Sequence, residues 1–246
     1  MAGHILLAGG AEFGGRMAEV DQRAFTLAGG YDIPVVIIPA AAAPDNNHQR
    51  AGANGVRWFA GLGGSNVAML PIIDPASAAN PDYVTHLAKA GFIYLLGGFP
   101  GHLWRTLQSS PVWQAILEAY QGGAVIGGSS AGAMVLCQYF YDPYNESVRE
   151  GLNLIRSTCI LPHHNNFGKR WARKLMKLLP DILLLGIDEG TGVLDDGSKP
   201  GGITGSKDFS LGGNTGEWNV YGAGSVTLYR QGDISIFRSG DKFNLG

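Results

Sequence analysis

The chain has 246 residues, 45% of them hydrophobic and 15% charged, which is ample to bury one large core. Its 18 basic and 20 acidic residues leave a formal charge of −2, which points away from nucleic acid or an anionic membrane as principal partner. The 38 glycines are spread along the chain and often end apolar runs, so they mark turns and close backbone approaches and not a disordered tract.

In chain order, the opening Met1-Ala2-Gly3-His4 has no basic segment, and the apolar run that follows is too short for a signal peptide. No stretch approaches the ~20 apolar residues of a membrane span, so a soluble cytoplasmic protein is expected. Residues 5–8, 34–39, 66–71, 92–96 and 124–126 are β-rich and almost unbroken, as strands covered on both faces should be. Between them, residues 15–28, 49–60, 81–88 and 100–120 have helical spacing; Val112, Ile116 and Tyr120, for example, share one helix face. Strand alternating with helix predicts an α/β fold with a doubly wound, mostly parallel sheet and helices on both faces. Further along, a helix is expected near 133–139, a short strand near 158–161, a basic helix at 166–178 and a strand at 182–187. From Glu217 the pattern becomes alternating strands around Gln231-Gly232-Asp233, a C-terminal β-hairpin. Neither repeats nor a linker interrupt the chain, so residues 1–246 are read as one domain. Cys137 and Cys159 lack metal-ligand spacing and lie in apolar surroundings, as buried free thiols do.

Chemistry is expected where strands end, because ligands of open α/β sheets gather at the carboxyl ends of the strands. Gly128-Ser129-Ser130-Ala131-Gly132 joins the end of one strand to the start of a helix, a turn that exposes a hydroxyl beside free helix N–H groups. Gly-x-Ser-x-Gly is centred on Ser130; centring on Ser129 would need a glycine where Ala131 stands. The plainer alternative is a glycine-rich turn in which Ser130 only caps the helix.

A serine nucleophile needs a base, usually a histidine oriented by a carboxylate. His163 and His164 follow a strand, and so do Asp188 and Glu189; at this level either member of each pair could serve. The Ala131 N–H is one oxyanion donor, and Leu96-Gly97-Gly98-Phe99, another strand end, can supply the second. Cys137, about two helical turns beyond the elbow, is too far along to act as a thiol nucleophile.

These segments resemble the serine peptidases that include dipeptidase E (aspartyl dipeptidase) and cyanophycinase, which share the class I glutamine amidotransferase-like fold but carry serine at the elbow. The resemblance covers nearly the whole chain: residues 5–12, 35–41, Tyr94-Leu95-Leu96-Gly97-Gly98 and, most specifically, residues 123–133. It implies Ser130 as nucleophile, His163 as general base, Glu189 as third triad member, and the N–H groups of Gly98 and Ala131 as oxyanion donors. It further implies a peptide or dipeptide substrate, hydrolysis at aspartyl residues as in cyanophycinases, and no metal or organic cofactor; a homodimer stays open. Two departures concern the substrate. Phe99-Pro100 follows the double glycine where relatives carry polar residues, and Pro162 precedes His163 where cyanophycinases carry Asp-Gln. Phe99 is expected to wall the pocket, and Lys169 or Arg170 to receive a substrate carboxylate; the plainer reading of the basic residues 170, 173, 174 and 177 is a solvated helix stripe. A catalytically inactive binding module is the alternative function, and Phe99-Pro100 is the feature that speaks for it.

Overall fold

The structure, a computed structural model, describes residues 3–197 and 216–245. Five apolar runs form strands β1 (His4–Ala8), β2 (Pro34–Ile38), β3 (Asn66–Met69), β4 (Phe92–Leu95) and β5 (Val125–Ser129), all parallel, in the order β1-β5-β4-β2-β3. The helices between them are α1 (Ala18–Leu27), α2 (His48–Gly61), α3 (Pro81–Leu87), α4 (Pro100–Leu107) and α5 (Pro111–Gln121). The single helix expected over 100–120 is therefore two. Ser109 takes φ +55°, Ser110 Oγ accepts the Trp113 N–H at 3.0 Å, and Pro111 sits at the first helical position, so a full stop and a new cap lie inside the run.

Past the elbow the chain departs from the single sheet that the sequence predicts. The next helix, α6 (Ala131–Leu136), has six residues and rises only ~9 Å. A parallel crossover takes about a dozen residues, so the chain cannot return beside β5 and enters a second sheet at Cys137. That sheet contains β6 (Cys137–Asp142), β7 (Ser147–Glu150), β8 (Ile155–Leu161) and, after α7 (Lys169–Leu178), β9 (Leu183–Ile187). Strand β10 (Thr191–Leu194), within what reads as a glycine turn, goes back to the first sheet antiparallel to β1, and β11 (Glu217–Gly222) extends it. The expected hairpin is β12 (Ser225–Arg230) with β13 (Asp233–Arg238), and β14 (Lys242–Asn244) completes the first sheet. The second sheet runs β13-β12-β9-β8-β6-β7. The helix expected near 133–139 thus stops at Leu136, because Tyr139-Phe140-Tyr141 is an aromatic run that favours a strand. The basic helix begins at Lys169, after a π turn over His164–Gly168.

Side-chain alternation stacks the layers. Leu6, Val35, Phe92 and Tyr94 face α1 and α2, where Met17, Phe25 and Phe59 cover them. The opposite side chains, such as Leu7, Ile38 and Ile126, share one core with α3–α6 and with Ile160, Leu185 and Val226 of the second sheet. Cys159, Leu161 and Leu184 point outward from that sheet and pack under Ala172 and Leu175 of α7. Among the described residues, no helix is long and apolar enough to cross a membrane.

One buried acid marks this packing. Asp21 of α1 is fully buried and accepts the Trp58 Nε1–H at 2.7 Å, while its other oxygen has no partner among the described residues. Burial raises its pKa from 3.8 to about 8, against the lowering effect of the Trp58 bond. The folded chain therefore holds a proton that the unfolded chain releases above pH ~4. This contribution is complete at low pH, declines by at most about 1.4 kcal/mol per pH unit as pH rises toward 8, and then levels off. Asp21→Asn should flatten that decline, so urea unfolding across pH 5–9 should show a shallower loss for the variant than for the wild type.

Candidate active site

Three consecutive carbonyls, from the last residue of β1 onward, organise the site. The Ala8 carbonyl accepts the Ser130 N–H at 3.0 Å, the Gly9 carbonyl the His163 N–H at 2.7 Å, and the Gly10 carbonyl the Gly190 N–H at 2.9 Å. Segments from β5 in the first sheet and from β8 and β9 in the second thus meet on one turn. The sequence expectation that all of them share one sheet edge is corrected accordingly: the site lies where two sheets meet.

Ser130 stands between β5 and α6 with φ 49° and ψ −111°, a conformation rare for a residue with a side chain. Such strain costs on the order of 1–3 kcal/mol. It is offset by the bond to Ala8 and by the packing of the elbow, which requires glycine on both sides. A Cβ on Gly132 would lie 2.1 Å from the Leu95 carbonyl oxygen, and one on Gly128 would lie 2.6 Å from Gly132 backbone. Ser129, expected on the turn, is the last residue of β5 and its side chain is fully buried, so only Ser130 offers a hydroxyl to solvent.

The His163 imidazole bridges the other two groups. Its Nε2 lies 3.0 Å from Ser130 Oγ and its Nδ1 lies 2.7 Å from Glu189 Oε1. An ionised carboxylate only accepts, so Nδ1 carries the hydrogen and Nε2 presents its lone pair to the serine hydroxyl. His163 has φ 47°, its ring stacks on Phe167 at 4.8 Å, and the Asn165 side chain accepts the Glu189 N–H at 3.0 Å. His164 and Asp188, the other members of the two pairs in the sequence, face the second sheet and take no part in this chain of contacts.

Across from the histidine, Gly97 packs on the serine: a Cβ there would stand 3.2 Å from Ser130 Cβ. The same Cβ would stand 3.8 Å from Ser130 Oγ, so Gly97 lies against the hydroxyl. Ala131 is the first residue of α6, and the first N–H groups of a helix have no acceptor within it. The Phe99 ring is stacked on Tyr144 at 4.3 Å and 19°. Tyr144 belongs to the β6–β7 turn, and the sequence reading assigns no element between the helix expected near 133–139 and the strand near 158–161. Its turn is held by Asp142, which is buried, accepts the Tyr144 N–H at 3.1 Å and the Asn145 side-chain amide at 2.7 Å, and pairs with Arg149 at 3.6 Å. The signal available in the sequence was the turn chemistry of Asp142-Pro143 ahead of Asn145.

Lys169 and Arg170 are exposed in the first turn of α7 and are not joined to the hydrogen-bonded group. Lys174, from the same stripe, is bound to Tyr141 Oη and the Glu146 carbonyl. Cys137, expected within a helix, opens β6 instead; it and Cys159 are buried free thiols. Burial pushes the Cys137 thiol well up and the Cys159 thiol up to about 12.

Residues 5–200 match the model of peptidase family S51. A cyanophycinase from Geminocystis herdmanii (strain PCC 6308) is 30% identical over 199 residues, covering 76% of this chain and 72% of that one. A cyanophycinase from Synechococcus elongatus is 28% identical over 201 residues; the alignment covers 77% of this chain but 61% of the relative, so the chain spans about three-fifths of that protein's length. The crystal structure of a peptidase from an acI-B1 Actinobacterium superposes with a TM-score of 0.82 at 28% identity, over 99% of this chain and 97% of the other. A candidate peptidase E protein from Listeria monocytogenes EGD-e, at 18% identity and a TM-score of 0.59, shares the fold over 97% of this chain and 99% of its own. The chain belongs to peptidase family S51 and is a serine peptidase.

The turn after β1 can be tested without touching any side chain of the site. A Cβ on Gly10, where φ is +121°, would lie 2.2 Å from His163 Cε1. Gly10→Ala should displace the imidazole while leaving the core intact. We expect labelling of Ser130 by a fluorophosphonate to slow by about a hundredfold or more, the scale for a reacting group misplaced by ~1 Å, with little change in the far-ultraviolet circular dichroism.

Proposed function

We propose that this peptidase hydrolyses a peptide or isopeptide bond through a triad of Ser130, His163 and Glu189. The observation that carries this reading is the unbroken line of contacts, 3.0 Å from serine to imidazole and 2.7 Å from imidazole to carboxylate. His163 Nε2 takes the hydroxyl proton as Ser130 Oγ attacks the carbonyl carbon. The resulting imidazolium is held by Glu189 and then returns the proton to the leaving amine. Water, activated by the same nitrogen, releases the acid from the acyl-enzyme and restores Ser130. The N–H groups of Gly98 and Ala131 are the donors proposed for the oxyanion, supported by the Gly97 contact with Ser130 and by the free helix start.

For the substrate, likeness to two cyanophycinases favours a bond at an aspartyl residue. Lys169 and Arg170, exposed at the start of α7, are the cations proposed to meet its carboxylate. The Phe99–Tyr144 stack is proposed to line the neighbouring subsite with aromatic surface, where many relatives offer polar side chains.

A panel of Asp-Xaa dipeptides, β-Asp-Arg and general dipeptides, assayed with wild type and Ser130→Ala, tests the reading. Turnover should fall by about a million-fold in the variant. Wild-type turnover retained in Ser130→Ala would refute the triad, and an absence of fluorophosphonate labelling in the folded wild type would favour a non-catalytic binder. Among the substrates, preference for aspartyl bonds should weaken in Lys169→Ala with Arg170→Ala, read as a rise in KM.

A further inference from the structure

His163 and Glu189 each have a chain neighbour that belongs to a second, buried pair. His164 follows His163 at the start of the π turn after β8, and Asp188 precedes Glu189 just past β9. His164 is buried, with Nε2 2.8 Å from Tyr229 Oη on β12 and Nδ1 3.5 Å from Asp188 Oδ1. Asp188 Oδ2 accepts both the N–H and the Oγ–H of Ser225, each at 2.8 Å, and its own N–H donates to the Ser225 carbonyl at 3.1 Å. The ring fits because residue 186 is glycine: a Cβ there would lie 2.4 Å from His164 Cδ2.

The order of this network is Ser225, Asp188, His164, Tyr229, and it joins the ends of β8, β9 and β12. Burial lowers the His164 pKa, so the ring is neutral, with Nδ1–H toward Asp188 and Nε2 accepting from Tyr229. It is not a second reaction centre: the Ser225 hydroxyl already donates to Asp188, and tyrosine occupies the remaining nitrogen. Nor does stability alone account for it, since apolar side chains of similar volume stabilise such a site about equally or better. What a satisfied polar network adds is direction.

We propose that His164, Asp188 and Tyr229 are positioning residues that hold His163 and Glu189 in register on Ser130. The proposal rests on the triad reading. His163 sits in a left-handed conformation, with its own N–H tied to Gly9 and its ring on Phe167, so the direction in which its side chain leaves the turn depends on what holds the backbone on the other side. His164 is that anchor, and Asp188 ties the residue before Glu189 to the same ring.

His164→Gln, Asp188→Asn and Tyr229→Phe, each in the full chain, test this through Tm, kcat, KM and the rate of Ser130 labelling by a fluorophosphonate. Tyr229→Phe removes one oxygen and keeps the ring, so it stays interpretable if the buried histidine variant fails to fold. The expected result is a kcat at least about tenfold lower with KM little changed, and labelling slowed by a similar factor in folded protein. Folded variants with wild-type kcat and labelling rate would overturn the positioning role and leave the triad standing. A wild type whose Ser130 is not labelled overturns the triad and this proposal with it.

Discussion

The site depends on three successive peptide carbonyls, those of Ala8, Gly9 and Gly10, each spent on a different segment. Each bond contributes only about 1 kcal/mol, so none of them fixes the arrangement alone. Together they hold two residues, Ser130 and His163, in backbone conformations that cost on the order of 1–3 kcal/mol apiece. The conformations persist because the cores on either side of the turn decide where these carbonyls point. The strain is therefore borne by the fold and not by the local chain.

Two sheets meeting on one turn also divide the labour. The first sheet contributes the hydroxyl and the Gly97 that packs on it; the second contributes the imidazole and the carboxylate. A shared core between the sheets, with Leu7 and Ile126 on one side and Ile160 and Leu185 on the other, keeps the halves in register. Close-packed interiors yield little to small shifts, which suits a geometry that depends on contacts of 2.7 and 3.0 Å.

Much of this was legible in the residues. The five parallel strands were apolar runs bounded by glycine or proline, and the elbow announced itself by Gly128 and Gly132 around a serine. What separated His163 from His164 could not be read from a pair of adjacent histidines; the decision lies with Gly186, whose missing side chain admits the second ring. The second sheet was illegible for a different reason. Val135-Leu136-Cys137 continues a helix in pattern, and only the length that a crossover requires shows that α6 is too short to keep the chain in the first sheet. The turn contacts at Gly10 depend on partners more than a hundred residues away, which local patterns do not encode.

The Phe99–Tyr144 stack has a separate origin from the contacts at Ser130. Tyr144 sits at the tip of an edge hairpin whose footing, Asp142 with Arg149, packs against Gly101 of α4. The hydrogen bonds that shape that tip are distinct from those that join Ser130, His163 and Glu189. The stack and the hydrogen-bonded group thus rest on separate contacts, so among the described residues a change at the hairpin tip has no hydrogen bond through which to reach the serine.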